Sequence, residues 1–177
     1  MKEVDLAWMA GILDLKGRTS YKNNKQRSTR QVVMLVDSQE LAVVRRMAQL
    51  TGTAPEAKAA KEIKDWWRTG CREHCPEAHV HIDLRYPSGT LPAIGRWSIT
   101  GAGMVVVYRN LRPHITIDRY EEAVNEADMF VALDSNGSGM VLASLRRLRN
   151  LGWNLPDRYS RALDDRDQRL ETGVGHI

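Results

Sequence analysis

A chain of 177 residues is long enough to bury a proper core, and 42% hydrophobic with 27% charged residues is the make-up of a globular protein rather than a disordered one. No apolar run approaches the roughly 20 residues of a membrane span, and Met1-Lys2-Glu3 lacks the apolar stretch of a signal peptide. A cytoplasmic protein without a membrane partner is therefore expected. The net charge of +4 and the pI of about 9.2 lean toward a polyanionic partner without specifying one.

Residues 5–17 read as a helix, with Leu6, Trp8, Met9, Ile12 and Leu13 at helical spacing and Asp5 placed to cap its N-terminus. Small Ala10 and Gly11 leave room for a second helix to approach at backbone distance, and Gly17 ends the helix. The next segment alternates as a strand, on which Arg18, Ser20, Lys22 and Asn24 share one face. Such a face is poor core material and donates well to phosphates and base edges; a solvated outer sheet face has the same make-up. Lys25, Arg27 and Arg30 lie in the turn that follows, and residues 31–36 return as a buried strand, completing a hairpin. Ser38 opens a second helix with Leu41, Val44, Met47, Ala48 and Leu50 on its apolar side and Gly52 at its end.

Residues 53–60 read as a connection, and residues 62–68 and 78–86 as the strands of a second hairpin. Between and along them, Cys71, His74, Cys75, His79 and His81 gather both cysteines and three of the five histidines. Thiolate and imidazole are the usual ligands of zinc, and His79 and His81 share a strand face, so Cys71, Cys75, His79 and His81 form the preferred set for a structural zinc. Reduced thiols beside ordinary hairpin histidines are the alternative. Residues 94–99 read as a short strand. Val105-Val106-Val107 has strand propensity by itself, and Pro113 marks a break before a helix at about 117–133. Residues 134–139 are a glycine- and serine-rich linker. Beyond it lies an amphipathic helix at 140–152, whose Arg146, Arg147 and Arg149 are within reach either of phosphates or of solvent alone. A marginal helix at 156–172 follows.

Met9-Ala10-Gly11-Ile12-Leu13-Asp14-Leu15-Lys16-Gly17 resembles the signature helix of the LAGLIDADG homing endonucleases. Trp97-x-Ile99-x-Gly101 followed by Leu111-Arg112-Pro113-His114-Ile115 is similar to that family's order of strand, helix and proline break. The resemblance implies an α+β fold: an αββαββα unit with an antiparallel saddle sheet over residues 1–133, a linker at 134–139 and a helical extension at 140–177. It also makes 101–111 a helix against propensity. A single copy of the signature implies a homodimer on a pseudo-palindromic double-stranded DNA site, paired through Leu6, Trp8, Met9, Ala10, Gly11 and Leu13. Base readout would fall to Arg18, Ser20, Lys22 and Asn24, and phosphate contacts to Lys16, Lys25, Arg27 and Arg30.

The departures from the family pattern concern its chemistry. The family's metal-binding carboxylate is the eighth residue of the signature, and here that residue is Lys16. An ammonium cannot ligate Mg²⁺, which takes oxygen ligands. Asp14 remains at the sixth position, and Thr116 and Asp118 stand where a basic residue commonly assists. The resemblance thus implies a degenerate site of Asp14, Lys16 and Asp118 with no catalytic residue, on a sequence-specific DNA-binding protein whose simplest use is transcriptional regulation or repression. The alternative is an active homing endonuclease that makes Mg²⁺-dependent double-strand breaks, with Asp14 as a displaced ligand.

Overall fold

The computed structural model describes residues 1–24, 29–38, 40–53, 56–58, 80–81, 94–131 and 139–171. Along them run α1 (Glu3–Lys16), β1 (Gly17–Asn24), β2 (Thr29–Ser38), α2 (Leu41–Thr51), β3 (Glu56–Lys58), β4 (Val80–His81) and β5 (Ile94–Thr100). There follow α3 (Gly101–Leu111), a short 3-10 turn (Arg112–His114), α4 (Glu121–Met129), α5 (Gly139–Asn150) and α6 (Asp157–Glu171). The mixture of helices with a mainly antiparallel sheet is α+β. No helix among the described residues is long and apolar enough to cross a membrane.

The strands form one sheet in the order β1-β2-β5-β3-β4. β2 lies antiparallel to both β1 and β5, with Gly17 opposite Val36 and Val36 opposite Trp97. β3 is antiparallel to β5, and β4 runs parallel to β3. Of the expected second hairpin, only residues 80–81 are described. Residues 56–58, read as part of a connection, are a strand, and residues 80–81 pair with them in parallel. The place beside β2 is taken by β5, which leaves β3 and β4 to extend the sheet outward. Residues 62–68 and 82–86 lie outside the described residues.

Alternation along β2 sorts the two faces of the sheet. Val32, Met34 and Val36 join the main core with Trp97 and Ile99 of β5 and with the helices. Helix α3 lies at the centre, buried from Ala102 through Tyr108 and again at Leu111. Its valines therefore obey burial rather than propensity. A valine costs at most about 0.7 kcal/mol in a helix, while burying its side chain is worth roughly 1.5–3 kcal/mol. The resemblance-based expectation of a helix here holds.

The two C-terminal helices share this interior. Leu142, Leu145 and Leu148 of α5, Trp153, and Tyr159 and Leu163 of α6 are part of the same cluster. Trp153 Nε1 donates to the Leu50 carbonyl at 2.8 Å, and Arg147 Nη1 donates to the Gly52 carbonyl at 2.6 Å. Both bonds close the C-terminus of α2, whose last carbonyls have no partner within the helix. Gly52 has φ +62, and a Cβ there would lie 2.4 Å from Arg147 Cδ, so glycine serves both the left-handed turn and the close approach. Arg146 and Arg149, within reach of phosphates in the sequence reading, instead pair with α6: Arg146 with Asp167, and Arg149 with Asp164 at 2.7 Å and Asp167 at 3.3 Å.

Because α5 fills the same core as the N-terminal helices, Leu145→Ala should destabilise the whole molecule, by about 2–5 kcal/mol. Urea unfolding followed by both near- and far-ultraviolet dichroism checks this: one transition, shifted as a unit, is expected. A wild-type-like first transition with only a minor C-terminal phase lost would contradict it.

Candidate nucleic-acid interface

The C-terminal end of α1 meets the segment that follows the proline break, and each side supplies what the other lacks. Both oxygens of Asp14 accept backbone N–H groups, from Thr116 at 2.9 Å and Ile117 at 3.2 Å. In return Arg119 donates to the carbonyls of Leu13, at 3.1 Å, and Asp14, and the Tyr120 hydroxyl donates to the Leu13 carbonyl at 2.7 Å. The Asp14 carbonyl thereby gains the partner that the helix end leaves it without, and the Leu13 carbonyl, which already accepts the Gly17 N–H, gains side-chain donors as well. Burial works to raise the Asp14 carboxyl, but the N–H groups of Thr116 and Ile117, helped by Arg119, outweigh it and hold it below the usual carboxylate range. At Gly17 an added Cβ would stand 2.3 Å from the Tyr120 hydroxyl and 2.7 Å from the Leu13 carbonyl oxygen. Only glycine fits where the helix hands over to β1.

This contact explains why α4 begins at Glu121 and not near residue 117 as expected: residues 116–120 are committed to α1. Asp118 is engaged as well. It accepts the Tyr108 hydroxyl at 2.8 Å and pairs with Arg112 at 2.8 Å. The Tyr108 hydrogen bond, before the Arg112 charge, keeps its carboxyl below the usual range.

Lys16 lies on the last turn of α1, where a cation complements the helix dipole. Its Nζ donates to Ser38 Oγ at 3.3 Å and reaches Glu40 Oε1 at 3.5 Å. Asp14, Lys16 and Asp118 do not fit a divalent metal. Asp14 spends both oxygens on the backbone, Lys16 presents an ammonium, and Asp118 is shared between a phenol and a guanidinium. Asp5 is also corrected: the helix starts two residues before it, at Glu3, without a side-chain cap, and Asp5 pairs with Arg46 at 2.8 Å.

On the sheet, Arg18 is opposite Leu35, Ser20 opposite Val33 and Asp37 opposite Arg96, all on the face away from the helices. Positions 22 and 24 belong to that face by register. The side chains of Lys22, Asn24 and Arg30 lie outside the described residues, as do Lys25 and Arg27 entirely. Val33 and Leu35 are buried here, so β2 carries apolar residues on both faces. Arg18 Nη2 reaches Asp37 Oδ2 at 2.5 Å, and Arg96 takes the same carboxylate with two nitrogens, at 2.6 and 2.9 Å. Arg96 first, against the opposing effect of burial, and then Arg18 hold the Asp37 carboxyl below its ordinary range.

The outer side of α1 is a stripe of apolar and small residues: Val4 (69% exposed), Ala7, Gly11 and Leu15 (80% exposed), flanked by half-buried Trp8 and Ile12. A Cβ on Gly11 would meet nothing within 4 Å. Of the six residues expected to pair two protomers, Gly11 belongs to this side, and Trp8 borders it while also packing against the core. Met9, Ala10 and Leu13 are fully buried in the chain's own core, and Leu6 packs against it. The reason is helical phase: Ala10 and Gly11 are neighbours in sequence but about 100° apart around the axis. Val4, Ala7 and Leu15 were missed, although their spacing is a helical period legible in the sequence. Asp37 and Arg96 carry no such local signal.

Of the expected zinc ligands, Cys71, Cys75 and His79 lie outside the described residues, and only the backbone of His81 is described. Among the described residues, no group of three or more His, Cys, Asp or Glu is arranged to hold a metal ion. Comparison with family models, curated proteins and solved structures finds no match to this chain.

Asp14→Asn should cost about 1–3 kcal/mol at pH 7, since it removes a charge-assisted pair of hydrogen bonds. The folded-state value lies below the ordinary 3.8, so the contribution is complete well above 3.8 and disappears as pH falls through the folded value. Urea midpoints of the two proteins should therefore differ at neutral pH and converge in acid. A gap independent of pH would show that the carboxylate charge is irrelevant.

Proposed function

We propose that this chain is a sequence-specific double-stranded-DNA-binding protein that acts as a homodimer on a LAGLIDADG-like scaffold and does not cut its target. A transcriptional regulator or repressor is the simplest use. The observation that carries the reading is the end of α1. A cation, Lys16, stands where the resemblance calls for a metal-binding carboxylate, and the neighbouring Asp14 is consumed by the Thr116 and Ile117 N–H groups.

Two further features support it. The stripe of Val4, Ala7, Gly11 and Leu15 is an apolar helix face of the kind normally covered, and its small residues at 7 and 11 allow a second copy of α1 to approach closely. Lys16, at the end of the same helix and about 100° around it from Leu15, holds its ammonium beside Ser38 and Glu40 and next to the strand that carries Arg18 and Ser20, where it would add to the attraction for a phosphate.

Leu15→Glu, which adds a charge to the exposed stripe without touching the core, should convert a dimer to a monomer in sedimentation velocity and weaken duplex binding with it. An unaltered sedimentation coefficient would remove α1 from the interface. Lys16→Ala should weaken binding and flatten its salt dependence by about 0.9 per protomer in the slope of log K against log salt. The competing nuclease reading is tested on the selected target with Mg²⁺ or Mn²⁺: strand breaks that vanish in Asp14→Asn would overturn the non-cleaving assignment.

A further inference from the structure

We propose that Asp37, gripped between Arg18 and Arg96, sets Arg18 as a reader of guanine, so that this carboxylate governs base preference rather than affinity. The inference rests on the duplex-binding reading above and names the base that one part of that surface recognises.

The three side chains form a belt across three adjacent strands. Asp37 of β2 lies opposite Arg96 of β5 and diagonal to Arg18 of β1, all on the face away from the helices. The two arginines differ in exposure. Arg96 has 29% of its side chain exposed and holds Asp37 through two nitrogens, whereas Arg18 is 60% exposed and uses Nη2. Arg96 therefore fixes the carboxylate, and the carboxylate anchors one nitrogen of the outer guanidinium. With most of its side chain exposed, Arg18 keeps donors for a ligand, and a guanidinium fork matches the O6 and N7 acceptors of guanine side by side. A flexible arginine would lose more conformational freedom on making the same contact.

Charge sharpens the choice. Asp37 places a negative charge directly beside the Arg18 guanidinium. A phosphate gains from full positive charge and is repelled by Asp37. The neutral edge of a base depends on fork geometry, which Asp37 anchors. Removing the carboxylate should therefore favour phosphate over base.

The test is selection of bound duplexes from a random pool, with the full chain as wild type, Arg18→Ala, Arg18→Lys and Asp37→Asn. Wild type should select a guanine at one symmetric position in each half-site. Arg18→Ala and Arg18→Lys should lose that preference by about tenfold to a hundredfold, leaving other positions unchanged, and Arg18→Lys should keep its affinity for random duplex. Asp37→Asn should relax the same position while binding random duplex as tightly as wild type or tighter, with a steeper salt dependence. Site-specific binding by wild type with every base preference retained in both Arg18 variants would overturn the proposal. So would an Asp37→Asn protein weakened equally on all sequences. Absence of salt-dependent binding of wild type to any duplex would instead remove the duplex-binding reading itself, and this inference with it.

Discussion

The structure turns on a reciprocal exchange of hydrogen bonds between two segments about a hundred residues apart. The end of α1 offers a carboxylate and the carbonyls of Leu13 and Asp14; the segment after the proline break offers two backbone N–H groups, a guanidinium and a phenol. Neither segment is satisfied alone, because helix ends always leave unpaired backbone groups and an isolated loop carries unpaired amides. Together they set where α1 stops, where β1 starts and where α4 begins. Tyr120 is fully buried at the junction, and burial pushes its phenol up, so the hydroxyl stays a donor to Leu13 throughout the neutral range. Lys16 and Arg18 inherit their positions from this joint, one on each side of Gly17.

Formal charge is a poor guide to the surface this produces. Arg146 and Arg149 of α5 face α6 and are matched by Asp164 and Asp167, and Arg109 and Arg158 share Asp128. Exposed pairs of this kind add little stability, typically below about 1 kcal/mol each. Their larger effect is to withdraw cations from the long-range field. Around the end of α1 the balance differs, because Lys16 and Arg18 are solvent-accessible and only partly offset: Lys16 divides its ammonium between Ser38 and Glu40, and Arg18 shares Asp37 with Arg96. The electrostatic character of a face depends on such local pairings more than on a total of +4.

Features governed by neighbours in sequence were legible in advance. The first helix, the hairpin that follows, α2 with its glycine end, the proline break and both C-terminal helices follow from spacing, turn residues and breakers. Helix α3 was legible only through the family resemblance, because its valines argue locally for a strand and only central burial reverses them. Asp14 illustrates the limit within the site. Its residue type and place on the helix could be read, but its partners are backbone N–H groups of Thr116 and Ile117, and no side-chain pattern announces a backbone donor. The face of α1 failed for another reason. Leu6, Met9, Ala10 and Leu13 on one side and Val4, Ala7, Gly11 and Leu15 on the other are both helical repeats, and only tertiary packing decides which is covered. The Asp37 belt spans three strands, and its members come together only through register.

Trp153 and Arg147 reach across to the final turn of α2 and occupy its bare carbonyls, while three leucines of α5 fill the space beneath. The glycine- and serine-rich stretch that looks like a natural place to divide the chain is thus a poor place to shorten it. A fragment ending there would open the flank of α3 and Leu50 to water and uncap a helix in the same stroke. Its exposed interior would invite self-association that mimics assembly. Oligomers of such a truncated piece would report the loss of its lid, not a property of the intact molecule.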